Sequence, residues 1–544
     1  MKKKQFSLIV SLLVVFSLLL TACGGDNKQA EEGGESGNAP AQELSVNINT
    51  EPFSLNPSLA NDSTSSSVLL QTFEGLTRID QNGEPQMAMA ESHEVSEDLK
   101  TYTFKIREDA TWSNGDPVTS QDFEYAWKWV LDPASEAQYA YQLYYIKNAQ
   151  AVKEGNASMD ELGVKVVDEK TLEVELENPT PYFLELTAFY TYFPVNSSIA
   201  KENAEWATDA SENYTSNGPF VMTSWEHNDK IVLEKNENYW DKDAVKLDKI
   251  ELIMINDPNT ELSMYENDEL DWAGKPTGQL PLEAIPALKD SGELQIEPIA
   301  GTYWYKFNTE KKPFNNKKIR QAFAYAIDRQ SIVDNITKGG EVPAMAAVPP
   351  TMFEENEKGY FKDGDLETAK KLFEEGLAEE GYASAADLPS IILSYNTNEA
   401  HAKIAQAIQD MWKKNLGVEV ELDNAEWAVY IDKLHNGDYQ IGRMGWLGDF
   451  NDPINFLELY KEQGGNNDTR WTNEEFKNLL NQSATETDEQ KRAEMLKQAE
   501  EILMDEMPIA PIYFYTNTYV HKDNLKDVVI SGLGDVQFKW AYFE

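Results

Sequence analysis

In the run Arg443-Met444-Gly445-Trp446-Leu447-Gly448-Asp449-Phe450-Asn451-Asp452-Pro453, one carboxylate, Asp449, stands among two aromatics, Trp446 and Phe450, and two glycines, Gly445 and Gly448. A glycine carries no side chain, so another backbone can approach it closely. A fixed negative charge beside glycine edges and aromatic walls suits a ligand with a backbone and a positive end. A peptide is such a ligand. The same residues also suit a plain strand-to-helix loop in which Asp449 caps the next helix. Tyr439 to Gly442 reads as a strand end, Asp452-Pro453 as a turn, and an apolar helix begins at Ile454.

Other chemistries find little support. The five histidines (His93, His227, His401, His435, His521) are scattered and form no His-Glu-x-x-His motif. A single cysteine rules out a thiolate zinc site, and we expect no metal and no cofactor. The only Gly-Lys pair, Gly274-Lys275, runs into Pro276, so there is no phosphate loop, and no Gly-x-Ser-x-Gly elbow occurs. Acidic pairs are so abundant that a glycosidase-like dyad could be drawn anywhere, which gives it no weight. The chain reads as a non-enzyme. A secreted hydrolase with a cleft of carboxylates is the alternative of another class.

The chain has 544 residues, 47 Lys and Arg against 94 Asp and Glu, and a net charge of −47. That balance disfavours nucleic acid, whose binders need a basic face, and reads as a solvated acidic surface. The length exceeds one ordinary core, so two or three lobes are expected. Lys2, Lys3 and Lys4 precede an apolar run from Phe6 to Leu20, and Leu20-Thr21-Ala22-Cys23 follows. A basic start, a short apolar core and small residues before the cut mark a secretory signal over residues 1–22, too short for a typical membrane span. Cys23, the only cysteine, stands where a lipoprotein signal places its lipid acceptor. Residues 23–43 are rich in Gly, Glu, Gln and Asn and read as a lipid-anchored disordered tether.

From Leu44 onward, periodicity defines elements that could hold the opening stretch. Leu44, Val46 and Ile48 alternate as a strand, as do Tyr102, Phe104 and Ile106. Thr119, with Asp122 three residues on, forms a capping box, and Phe123, Ala126, Trp127 and Val130 share one helix face. Tyr139, Tyr141, Tyr144 and Tyr145 cluster beyond it. Val164 to Val167 and Leu172 to Leu176 flank a hairpin turn. From about residue 300 to 510 strands and helices alternate: an aromatic strand Thr302 to Asn308, a helix ended by Gly417, and a helix marked by Trp427, Ile431 and Leu434. This is an α/β pattern.

On Lys105-Ile106-Arg107 with Trp112-Ser113-Asn114-Gly115-Asp116-Pro117, on Asp122-Phe123 with Ala126-Trp127, and on Gly445-Trp446 with Asp449, the chain resembles the extracytoplasmic oligopeptide-binding proteins of ABC importers, bacterial solute-binding protein family 5. The likeness spans Leu44 to Glu544. Tyr395-Asn396-Thr397, Trp412 to Val418 and Glu426-Trp427 point to the oligopeptide branch. The resemblance implies a large, class II, three-lobed periplasmic-binding-protein-like fold whose two ligand-closing lobes are joined by two crossing strands. By motif order lobe I spans 44–63, 193–298 and 516–544, lobe II 64–192, and lobe III 299–515. It also implies a monomeric receptor on the extracytoplasmic face of a bacterial cell membrane. Such a receptor captures oligopeptides and passes them to ABC transporter permease subunits. A dedicated receptor for a signalling peptide or another small solute is the alternative of the same class.

The resemblance further implies roles. Asp449 matches the aspartate that takes the peptide α-ammonium, a charge-assisted bond. Gly445, Leu447 and the extended segment around Glu51 match backbone that pairs with the ligand as an added strand. Trp427, Trp446 and Tyr303 or Tyr305 would line side-chain pockets. Arg443, Asn396, His401 and His435 match positions that meet the peptide's far end or its side chains, Arg443 taking the terminal carboxylate. From the tyrosine cluster, Tyr139 or Tyr141 is the expected clamp on the peptide backbone. Gly448, directly before Asp449, is expected to widen that pocket.

Overall fold

The alternating strands come together in one eleven-stranded sheet. In chain order its strands are β1 (Glu43–Asn47), β2 (Phe220–Glu226), β3 (Lys230–Lys235), β4 (Lys249–Ile253), β5 (Trp272–Gly274), β6 (Gln295–Phe307), β7 (Val342–Pro343), β8 (Ile391–Asn396), β9 (Val420–Ala425), β10 (Ile441–Leu447) and β11 (Ile509–His521). The computed structural model describes residues 41–81, 83–463 and 466–544, so the signal, Cys23 and nearly all of the tether lie outside the described residues. The sheet runs β9-β8-β10-β6-β11-β5-β1-β4-β3-β2, with β7 paired to β11. Two strands of 13 residues each, β6 and β11, run through its middle as antiparallel partners. Their register breaks between Pro298 and Thr302. Gly301 sits in that break, where a Cβ would fall 2.6 Å from the Leu447 side chain.

A second, four-stranded antiparallel sheet comprises Ala90–Val95, Thr101–Ile106, Thr171–Glu175 and Val164–Asp168. The hairpin expected around Asp168-Glu169-Lys170 is one edge of it. The helix Ser120–Leu131 starts at the Thr119 capping box, in which the Asp122 carboxylate accepts the Thr119 N–H at 2.9 Å. Phe123, Ala126, Trp127 and Val130 are all buried, and the Trp127 indole N–H donates to the Tyr192 carbonyl at 2.9 Å. Hydrophobic spacing of three and four along a helix places these side chains on one face, so burying that face fixes the helix.

Alternation along β6 divides two cores. Trp304 packs with Phe456 and Tyr460 on one side. Tyr303, Tyr305 and Phe307 point to the other, into the body formed by the helices Lys317–Tyr325, Leu366–Glu380 and Glu399–Leu416. The last of these ends at Gly417, whose φ of 69° is open to glycine at no steric cost. The fold is mixed α/β with several sheets, and residues 41–544 form one compact unit. No helix among the described residues is long and apolar enough to cross a membrane.

Candidate functional site

The strand β10 carries the opening stretch and is open along part of one edge. It pairs with β6 throughout, but with β8 only at Ile441 and Gly442. From Arg443 to Leu447 no second strand of the described residues covers it, and Leu447 is 48% exposed. Such an edge presents backbone donors and acceptors that an extended chain can pair with. The two glycines serve the protein's own packing. A Cβ on Gly445 would lie 2.5 Å from the Tyr515 hydroxyl and 3.1 Å from the Thr302 carbonyl oxygen. One on Gly448 would lie 2.9 Å from the end of Met352, and its N–H donates to the Ala300 carbonyl at 2.7 Å. Gly448 therefore admits Met352 and does not widen a ligand pocket.

At the C-terminal end of β10, the Asp449 carboxylate accepts a hydrogen bond from the Gln142 side chain at 2.8 Å. Gln142 lies on the short helix Gln138–Leu143, 307 residues away in sequence. The Asn455 side-chain oxygen accepts both the Trp446 indole N–H at 2.8 Å and the Asp449 N–H at 3.1 Å, fixing the two relative to each other. Burial pushes the Asp449 carboxyl up to about 7, against the hydrogen bonds from Asn455 and Gln142 that favour its charged form, and among the described residues it forms no ion pair. The nearest arginine of the wall, Arg492, is taken by Asp452 at 2.6 and 2.9 Å. Asp449 does not cap the next helix. Asp452 accepts the Ile454 N–H there instead.

Asp449 opens on a cavity of about 520 Å³, bounded by Tyr141, Tyr145, Trp446, Asn455 and Glu458 among others. Tyr139 stands one layer back, its ring 5.5 Å from that of Tyr141 and edge-on to Phe189 and Tyr190. Burial, helped by nearby Asp449, holds its phenol well above the usual range.

A second polar cluster surrounds Arg443. Its guanidinium lies 4.6 Å over the Tyr303 ring and donates to Asn396 at 3.3 Å and to the Tyr515 hydroxyl at 3.1 Å. Its Nε has no partner, and among the described residues it meets no carboxylate. His401 sits 3.4 Å from the Tyr303 hydroxyl. Burial, with Arg443 beside it, pushes its imidazole down to about 3, so it is neutral at pH 7. Asp449 and Arg443 are six positions apart on a near-extended chain, hence at most roughly 20 Å. The site thus offers a carboxylate at one end and a guanidinium at the other, neither in an ion pair among the described residues, and an open strand edge between.

The remaining expected residues fall elsewhere. Tyr303 and Tyr305 are fully buried, because the strand's alternation turns both into the helical core. Tyr303 stacks on Tyr513 and reaches the Arg443 cluster, whereas Tyr305 packs near Trp412. Trp427 is 50% exposed on the helix Trp427–His435, whose buried face is Tyr430 and Leu434. His435 pairs with Asp468 at 2.8 Å. Glu51 is bound to His227 at 2.6 Å and to the Asn228 N–H at 2.7 Å, in a segment outside any strand where Phe53 is 67% exposed. Sequence reasoning did not single out Gln142, Asn455 or Glu458. Asn455 and Glu458 carried a weak signal in their closeness to Asp449, and Gln142 sat unread inside the tyrosine cluster.

A half-open strand edge with a carboxylate at one end and a guanidinium at the other suits the binding of an extended ligand. Residues 84–468 match the family described as bacterial extracellular solute-binding proteins, family 5 Middle, and the chain belongs to that family. The oligopeptide-binding protein OppA of Bacillus subtilis (strain 168) is 63% identical over 545 residues, covering 100% of each chain. The structure is similar to that of Listeria monocytogenes OppA bound to peptide, with a TM-score of 0.78 and 34% identity, over 93% of this chain and 99% of that one. It is also similar to the Escherichia coli murein tripeptide binding protein MppA, with a TM-score of 0.81 and 34% identity, over 93% and 99%.

Proposed function

We propose that this protein is the extracytoplasmic receptor of an ABC importer for peptides. Asp449 binds the α-ammonium, and the free edge of β10 from Arg443 to Leu447 pairs with the peptide backbone. Arg443, positioned by Asn396 and Tyr303 and flanked by neutral His401, meets a carboxylate at the far end. The observation that carries this reading is the open strand edge set between two half-buried, oppositely charged groups that form no ion pair among the described residues. An isolated buried charge costs several kcal/mol, so each end favours a ligand that brings the missing counter-charge. Backbone pairing is blind to side-chain identity, which suits broad specificity. The receptor hydrolyses nothing itself.

In the same reading, residues 64–192 form lobe II and 299–515 form lobe III, and two of the three lobes close on the ligand about two crossing strands. Segments 44–63, 193–298 and 516–544 form lobe I, and the crossings lie near Ile299 to Tyr303 and Ile512 to Thr516, at the register break of β6 and β11. Trp427 and Leu447 border the ligand without charge contact, and Tyr139 backs Tyr141 from the layer behind. Lipid on Cys23 tethers the monomer to the cell membrane. Native mass spectrometry of the soluble form starting at Gly24 tests the function. Co-purifying, heterogeneous peptide masses support it. A single defined mass redirects it to a dedicated receptor, and the absence of any bound mass or library-induced thermal shift contradicts it.

A further inference from the structure

Asp449 is not the only carboxylate on its cavity. Glu458 lies nine positions on, just past the short helix Ile454–Leu457, and borders the same 520 Å³ space. Its carboxylate oxygens accept from the Tyr145 hydroxyl at 3.1 and 3.4 Å, a neutral partner. The other charges of the wall are largely spoken for. Arg492 is held by Asp452, Glu462 by Lys477, and Glu177, at the exposed rim, accepts the Asn148 N–H. Lys461 stands three positions from Glu458 and forms no ion pair with it, its field only easing the burial that pushes the Glu458 carboxyl up to about 7. Asp449, Glu458 and, at the exposed rim, Glu177 therefore form no ion pair on this wall, where Lys461 is the one unpaired cation among the described residues. A peptide's α-ammonium can neutralise only one of them.

We infer that Glu458 makes this cavity a subsite for a cationic side chain on the first residue of the peptide. The inference rests on the peptide-receptor reading above and narrows its substrate class. A peptide beginning with lysine or arginine sets its α-ammonium on Asp449 and its side-chain cation on Glu458. The rings of Tyr141, Tyr145, Tyr182 and Trp446, all on the cavity wall, cover the aliphatic stem, and their faces attract the cation. The volume lies within the range of built ligand pockets and leaves room for water around the head group. An apolar first residue leaves half-buried Glu458 without a counter-charge, which favours its protonated form and forgoes that attraction.

The test is calorimetric titration of the wild-type protein at pH 7.5 with Lys-Ala-Ala-Ala and with norleucine-Ala-Ala-Ala, which share a stem but differ in charge. The lysine peptide is expected to bind about tenfold tighter or better, the range for a close charge pair. Glu458→Gln, checked for folding by its melting curve, is expected to remove that advantage while leaving the norleucine peptide within about twofold of wild type. Equal affinities in the wild type overturn the inference whether or not the variant folds. So does a lysine advantage that survives in Glu458→Gln. If neither these peptides nor a mixed library binds, the peptide-receptor reading itself fails and the inference falls with it. Binding without a lysine preference removes the inference alone.

Discussion

Asp449 carries a raised carboxyl that forms no ion pair among the described residues, so binding and stability oppose each other there. Its folded value of about 7 lies above the unfolded value near 3.9. Its contribution to ligand-free stability is therefore fully present below about pH 4 and is lost as pH rises to about 7. Asp449→Asn should raise the ligand-free melting temperature at pH 8 by roughly 2 °C while weakening peptide binding about 100-fold or more. Paired melting curves and titrations check this. The ammonium needs the ionised carboxylate, so affinity should climb from pH 5 to about 7. It should fall again as the peptide amine, near 7.7–8.0, loses its proton. A flat titration profile would contradict the assignment. At this scale the sequence displayed Asp449 and Trp446 through composition alone. It did not display Gln142, because a hydrogen bond spanning 307 residues leaves no local pattern.

Elements obey the packing that local patterns record. The capping box at Thr119 and the stripe Phe123, Ala126, Trp127 and Val130 were readable because one turn of helix carries both cause and effect. Thr119→Ala should cost about 1 kcal/mol in chemical denaturation. The helix Trp427–His435 was legible in the sequence, but its buried face was not fully so. Tyr430 and Leu434 are buried and Trp427 is exposed, since a short helix with large apolar residues on both sides leaves its rotation to tertiary contacts. In β10, Gly445 lets Tyr515 approach Arg443. Gly445→Ala should push the Tyr515 ring away, costing about 1–3 kcal/mol and loosening the Arg443 end of the site. Denaturation together with affinity for tripeptides would show both losses.

Across the whole molecule, contacts among the described residues join the part built on the four-stranded sheet to the segment after β10. Four of them are Gln142 with Asp449, Tyr145 with Glu458, Glu185 with the Asn451 N–H at 2.8 Å, and the stack of Tyr182 on Phe450 at 4.7 Å. Three of them use carboxyls that burial pushes up to about 7. These contacts should therefore be most favourable at low pH and weaken as pH rises through about 7. Small-angle scattering of the ligand-free protein should give a larger radius of gyration at pH 8.5 than at pH 6, and added peptide should erase the difference. An unchanged radius would mean that these carboxyls do not govern closure. The α/β alternation and the motif spacing conveyed the class of fold. The pairing of β6 with β11 and the meeting of residues 142 and 449 depend on contacts too distant for spacing to record.

The most direct test of the central claim is calorimetric titration of one tetrapeptide in two forms, with a free and with an acetylated N-terminus, against the wild-type protein. The account predicts micromolar or tighter binding of the free form and loss of about 100-fold or more on acetylation, with no such loss in Asp449→Asn. Equal binding of both forms to the wild type would contradict it.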